Sequence, residues 1–155
     1  LAFANNRPCV SVSTLESMAY NFLSTDCIVC AVMDARCSQV YNALFEIKNG
    51  VVTRLCDDRA LSLDDLKNEL LSVDGRIIIA GDGTDITCKY IGNEIKNAES
   101  APVNLKYQRA SSTALVAFEM INNGQTVSAQ KLMPVYLRLP QAQRELNKKL
   151  GGRTK

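Results

Sequence analysis

Apolar and polar positions along the chain change period several times, and each change marks an element. The stretch 8–12 opens at Pro8 and reads as a short strand. Ser13 or Thr14 then caps a helix bearing Leu15, Met18, Ala19 and Phe22, and Glu16 follows Ser13 by three residues, as in a capping box. Segments 27–34 and 39–48 predict two strands, Asn49-Gly50 a turn, and 51–56 a third strand, together an antiparallel meander. "LSLDDLKNELLSV" predicts a helix with Ser62 as cap and Leu63, Leu66 and Leu70 on one face. "RIIIAGDG" is a buried strand running into a glycine turn, and "TDITCKYIGNEI" is the helix after it. A short segment near 102–107 precedes the helix "SSTALVAFEMINNG", for which Gly124 is a natural stop. Last come the extended "MPVYLRLP" and a helix with Leu139, Ala142, Leu146 and Leu150 in one apolar stripe.

A meander followed by alternating helices and strands predicts an α/β fold: a mixed sheet with packed helices. The chain has 155 residues, 46% of them hydrophobic, enough for one domain with its own core. It contains no apolar run of 18 residues, so no membrane-spanning helix is expected. The opening "LAFANNRPCV" does not read as a signal peptide. It resembles a helix end, an Asn-Asn stop and the start of a strand, so the chain is expected to begin inside a larger unit.

Charge changes this picture little. The formal net charge of +2 is too small for generic nucleic-acid binding, but residues 138–155 carry six basic side chains against Glu145, which leaves residues 1–137 at −3. Such a basic tail reads as a solvated helix end or, less simply, a phosphate-facing patch. It lacks the interleaved aromatics of an RNA-binding module.

Two features limit the chemistry. The chain has no histidine, which removes Ser-His-Asp triads, Cys-His dyads and HExxH zinc sites from its own resources. Cys27-x-x-Cys30 looks like a redox or metal motif, but it lies in the predicted strand "CIVCAVMD". A period of two sends residues three apart to opposite faces, so the two thiols should diverge. No metal and no cofactor are expected. With no leader and no regular cysteine pairing, a reducing cytoplasm is the expected location.

Four stretches, "PCVSVSTLESMA", "MDARCSQVYNALFE", "AGDG" and "PVYLR", occur in this order across residues 8–138. In them the chain resembles the TsaB (YeaZ) family of tRNA threonylcarbamoyladenosine biosynthesis proteins. The resemblance implies one lobe of an actin-like, ribonuclease-H-like fold. Residues 1–26 would then be a remnant of a first lobe and residues 27–155 the second lobe with its basic C-terminal helix. On that view the first strand lacks its sheet, and the Leu15–Phe22 helix exposes apolar surface. The resemblance also implies a non-catalytic partner of a TsaD-like enzyme and a TsaE-like ATPase. Together they would place a threonylcarbamoyl group on the adenosine beside the tRNA anticodon, with tRNA met only through the complex. A homodimer of the longer protein is compatible with it. The alternative is an ATP-binding lobe of an actin-like kinase.

Candidate site residues follow from the same stretches. In actin-like ATPases the hairpin turn holds phosphate through glycines, which provide positive φ and leave no Cβ in the way. Here the turn is Asp34-Ala35-Arg36-Cys37-Ser38, without a glycine. Asp34 is expected to cap the turn, Arg36 to pair with it or face a partner, and Tyr41 to pack on the sheet. Gly81-Asp82-Gly83 reads as a tight turn with an Asp cap or as a weak nucleotide contact. Pro134, Tyr136 and Arg138 belong to an edge-type extended segment that docks the final helix or faces a partner. No residue is assigned a catalytic role.

Overall fold

The computed structural model describes residues 1–138. The expected final helix, with Leu139, Ala142, Leu146 and Leu150, lies outside the described residues, as does most of the basic tail.

The long hairpin dominates the fold. Strands β2 (Cys27–Asp34) and β3 (Gln39–Lys48) pair antiparallel along their length, from Cys27 opposite Ile47 to Asp34 opposite Val40. β4 (Val51–Arg54) continues the meander on β3, and β5 (Arg59–Ser62) pairs with the other half of β3. On its far side β2 takes β6 (Ile77–Ala80) in parallel, and β6 takes β7 (Ala98–Ser100) in parallel. The result is a mixed six-stranded sheet in the order β4-β3-β2-β6-β7, with β5 off this path on β3. β2 and β6 are covered on both faces, which suits the unbroken apolar runs "CIVCAV" and "IIIA".

Helix α1 (Thr14–Ala19) and the 3₁₀ turn Tyr20–Phe22 cover one face with Leu15, Met18, Ala19 and Phe22, against Val29, Ala31, Phe45 and Ile78. These four side chains are at most 3% exposed, so the expected uncovered apolar surface on this helix is absent. Helix α4 (Ala110–Asn122) packs on α1 from outside, tied to it by the Tyr20 hydroxyl, which donates to Glu119 at 2.5 Å. Asn21 fastens the same corner: its amide donates to the carbonyls of Leu105 and Tyr107, and its oxygen accepts from Ser112. Helices α2 (Leu63–Leu70) and α3 (Thr84–Ile91) cover the opposite face, where Leu63, Leu66, Leu70 and Ile91 meet Cys30, Val32, Leu44 and Ile79.

Cys27 lies in the first core cluster and Cys30 in the second, so the two thiols do diverge to opposite faces of β2. Burial pushes both thiols above their ordinary pKa, Cys30 most strongly.

Several elements depart from the sequence pattern, among them the strand expected over 51–56, which ends at Arg54. The strand expected over 8–12 is only β1 (Pro8–Cys9), paired with β8 (Val127–Ser128) in a separate two-stranded ribbon. β5 and β7 are strands that the pattern did not predict, because three or four residues are too few to show a period. Residues 102–107 form turns rather than an element, closed by the Leu105 amide on the Pro102 carbonyl.

Candidate functional site

The C-terminal ends of the parallel strands β2, β6 and β7 lie along one edge of the sheet, the usual place for ligands in open α/β sheets. The β2–β3 turn, the Gly81–Gly83 turn and the segment 133–138 all gather there, so each candidate from the sequence falls in or beside this region.

The hairpin turn is built by Asp34. Its carboxylate accepts the Arg36 amide at 2.7 Å and the Arg36 guanidinium at 3.3 Å, as the sequence suggested. Arg36, Cys37 and Ser38 all adopt positive φ (63°, 54° and 55°) without being glycine. Each such residue costs about 1–2 kcal/mol. Hydrogen bonds around the turn offset that cost: Ala35 donates to the Gln39 carbonyl, and Leu63 to the Ser38 carbonyl. The backbone thus reaches left-handed conformations that glycine would adopt more readily, with three Cβ atoms and an exposed Arg36 side chain at the turn.

The second turn is packed against the first. A Cβ on Gly81 would lie 1.9 Å from the Val32 carbonyl oxygen, and Gly83 donates to that same oxygen at 3.2 Å. Asp82 is not the helix cap: Gly83 occupies the cap position of α3, and among the described residues no side chain caps it. Asp82 instead accepts the Asp34 amide at 3.1 Å and so joins the two turns. The glycines admit the neighbouring strand β2, a role the tight-turn reading did not give them.

Between the hairpin, the start of α1 and the segment 133–138 lies a cavity of about 490 Å³. Met33 and Tyr41, cross-strand partners on β2 and β3, form part of its floor with Leu15. Pro134, Tyr136 and Arg138 form part of its outer wall, and the Arg138 guanidinium donates to the Ala35 carbonyl. The stretches "DARCSQVY" and "PVYLR", far apart in sequence, therefore meet across one cavity.

Sequence reasoning missed the polar cluster beside the α1 end, of which Ser13 and Asp58 line the cavity. Arg54 bridges Glu16 at 2.7 Å and Asp58 at 2.6 Å, and it sits 4.7 Å above the Phe45 ring. Ser13 donates to Asp58 at 2.6 Å while accepting the Glu16 amide, so the cap is made. The Glu16 side chain turns to Arg54 instead of completing the capping box. Only the Ser13–Glu16 spacing signalled this cluster. Among the described residues no group of three His, Cys, Asp or Glu side chains could hold a metal ion.

A model of the family described as TsaD, tRNA N6-adenosine threonylcarbamoyltransferase, matches residues 1–146. The chain belongs to the TsaD family, in its TsaB/YeaZ branch. The tRNA threonylcarbamoyladenosine biosynthesis protein TsaB of Bacillus subtilis (strain 168) is 27% identical over 144 residues, which are 92% of this chain and 61% of that protein. YeaZ from Pseudomonas aeruginosa shares the fold with a TM-score of 0.61 and 23% identity, over 88% of this chain and 62% of that one. A crystal structure of an uncharacterized protein with similarity to peptidase YEAZ, from Pseudomonas aeruginosa, gives a TM-score of 0.67 at 22% identity with the same coverage. The chain thus spans about three fifths of the length of these TsaB and YeaZ relatives. The mixed α/β sheet expected from the sequence is the fold of the YeaZ structures.

Proposed function

We propose that the chain acts as a non-catalytic scaffold in threonylcarbamoyl transfer to the adenosine beside the tRNA anticodon. Its partners would be a TsaD-like enzyme and a TsaE-like ATPase, with tRNA engaged through the assembly. Homology to a TsaB supports the pathway. The hairpin turn supports the non-catalytic role, and it is the observation that carries this reading.

A phosphate needs close approach to backbone N–H groups. At this turn Arg36, Cys37 and Ser38 present side chains instead, and the Asp34 carboxylate already takes the Arg36 amide. The Val32 carbonyl lies against Gly81, so the glycine serves the packing of β6 on β2. The chain also lacks a histidine for proton transfer. The kinase-lobe alternative requires groups that these positions do not supply.

Size-exclusion chromatography with light scattering, on the chain mixed with a TsaD-like protein, tests the scaffold role. A 1:1 complex unaffected by ATP supports it. Complex formation that strictly requires ATP bound to this chain would argue for the nucleotide-binding alternative.

A further inference from the structure

Two asparagines of the chain precede a glycine, in Asn49-Gly50 and Asn123-Gly124, and both pairs are exposed. In such a pair the glycine nitrogen can attack the side-chain carbonyl carbon of the asparagine, because no Cβ on the glycine obstructs it. Closing the five-membered ring brings Cβ and the glycine nitrogen into one plane, which sets the asparagine ψ at about −120°. Joined to a positive φ, that ψ is the geometry of the first central residue of a type II′ turn. The backbone around each asparagine therefore decides how readily the ring forms.

Asn49 and Gly50 are the central residues of the β3–β4 hairpin, between the paired Lys48 and Val51. Their φ values of 51° and 75° make it a type I′ turn. Rotating the central peptide plane alone converts type I′ to type II′: the first central residue keeps its positive φ, and the flanking pair stays in place. No hydrogen bond opposes that rotation among the described residues, because the Gly50 amide donates none. The Asn49 amide donates to the Asp26 carboxylate at 2.9 Å, but it belongs to the preceding peptide plane, which does not turn. At Asn123 the corresponding plane is tied down. Asn123 ends α4 with φ −88° and ψ 7°. Gly124 donates to the Ile121 carbonyl at 2.9 Å, and Gln125 to the Met120 carbonyl at 2.8 Å. Ring closure there would carry the Gly124 amide away from Ile121.

We propose that Asn49 is a site of spontaneous covalent modification, losing its side-chain amide through a succinimide in preference to Asn123. The Gly50 nitrogen gives its proton to hydroxide and bonds to Cγ of Asn49. The Cγ–Nδ2 bond breaks, and ammonia leaves. Water then opens the ring at one of its two carbonyls. Addition at Cγ restores the main chain with an aspartate side chain, whereas addition at the main-chain carbonyl leaves an isoaspartyl link. That link adds a methylene to a two-residue loop whose length sets the register of β4 on β3. β4 holds Arg54, which joins Glu16 and Asp58 beside α1, so the isoaspartyl form has a weaker β4 edge. The proposal does not rest on the tRNA-modification reading.

The test is incubation of the native chain at mildly alkaline pH, with timed samples digested in acid and mapped by tandem mass spectrometry. Conversion of amide to acid at Asn49 should run about fivefold faster than at Asn123, the factor set by one retained hydrogen bond. In concentrated urea the two sites should convert at similar rates, because the unfolded chain holds neither peptide plane. The isoaspartyl fraction, separated from unmodified chain, should unfold at a lower urea concentration. No conversion at Asn49, equal or faster conversion at Asn123 in the native chain, or the same ratio of rates in urea would overturn the proposal. An unchanged urea midpoint of the isoaspartyl fraction would overturn its effect on β4.

Discussion

Gly81 and Val32 touch so closely that a Cβ on the glycine would lie 1.9 Å from the valine's carbonyl oxygen. Gly81 also has φ +119° and donates its amide to the Lys106 carbonyl at 2.7 Å. This contact sets the β6 end against β2 and leaves Asp82 free to reach Asp34. Gly81→Ala should therefore destabilise the fold by roughly 3 kcal/mol or more, at the severe end for single substitutions. Gly75, with φ +90° and nothing within 4 Å of its would-be Cβ, separates conformational strain from collision. Gly75→Ala should cost only about 1–2 kcal/mol. Urea unfolding of both variants checks the difference, and similar midpoints would remove the close approach as the reason for Gly81.

The divergence of Cys27 and Cys30 governs thiol reactivity. Cys30 is fully buried and its pKa is raised, while Cys37 is exposed at the hairpin turn. In timed alkylation of the native protein, read by mass spectrometry, Cys37 should label first and Cys30 only on unfolding. Cys30 labelling as fast as Cys37 would contradict the strand register, as would one zinc bound between Cys27 and Cys30.

Stability should fall on the alkaline side. Burial raises the pKa of Tyr20, assisted by Glu119, and raises those of Cys27, Cys30 and Cys88. A hydrogen bond to Asp85 raises Lys106. In each case the folded chain holds a proton that the unfolded chain gives up sooner. The contribution is complete below the ordinary values, 9.0 for thiols and 10.0 for tyrosine, and is lost as pH rises through the raised ones. Denaturation midpoints should be lower at about pH 10 than at about pH 7, with Cys30→Ala softening the decline. A midpoint that rises over this range would contradict the assignment.

The fold was legible where local pattern and burial coincide. Ser13 and Ser62 cap the helices expected of them, and the hairpin occupies the very segments 27–34 and 39–48. β5 and β7 escaped notice because their identity comes from β3 and β6, their partners, and not from their own residues. At the site, Asp34 and Arg36 were legible because their contacts are two residues apart. The Arg54 cluster was not: its partners Glu16 and Asp58 flank it at separations of 38 and 4 residues and converge only when β4 joins the sheet. Gly81 was recognised as a turn residue, but its neighbour Val32 lies on another strand, and no local signal identifies it.

The scaffold reading is tested most directly by reconstituting threonylcarbamoylation from TsaD-like and TsaE-like proteins, tRNA and threonylcarbamoyl-adenylate. The chain should neither modify tRNA nor hydrolyse ATP on its own. A longer version that includes the part the relatives have beyond this match should restore modification, and Asp34→Asn in it should leave the rate unchanged. A steady-state ATPase rate of about 1 per second from this chain alone, within the ordinary range of enzymes and abolished by Asp34→Asn, would contradict the account.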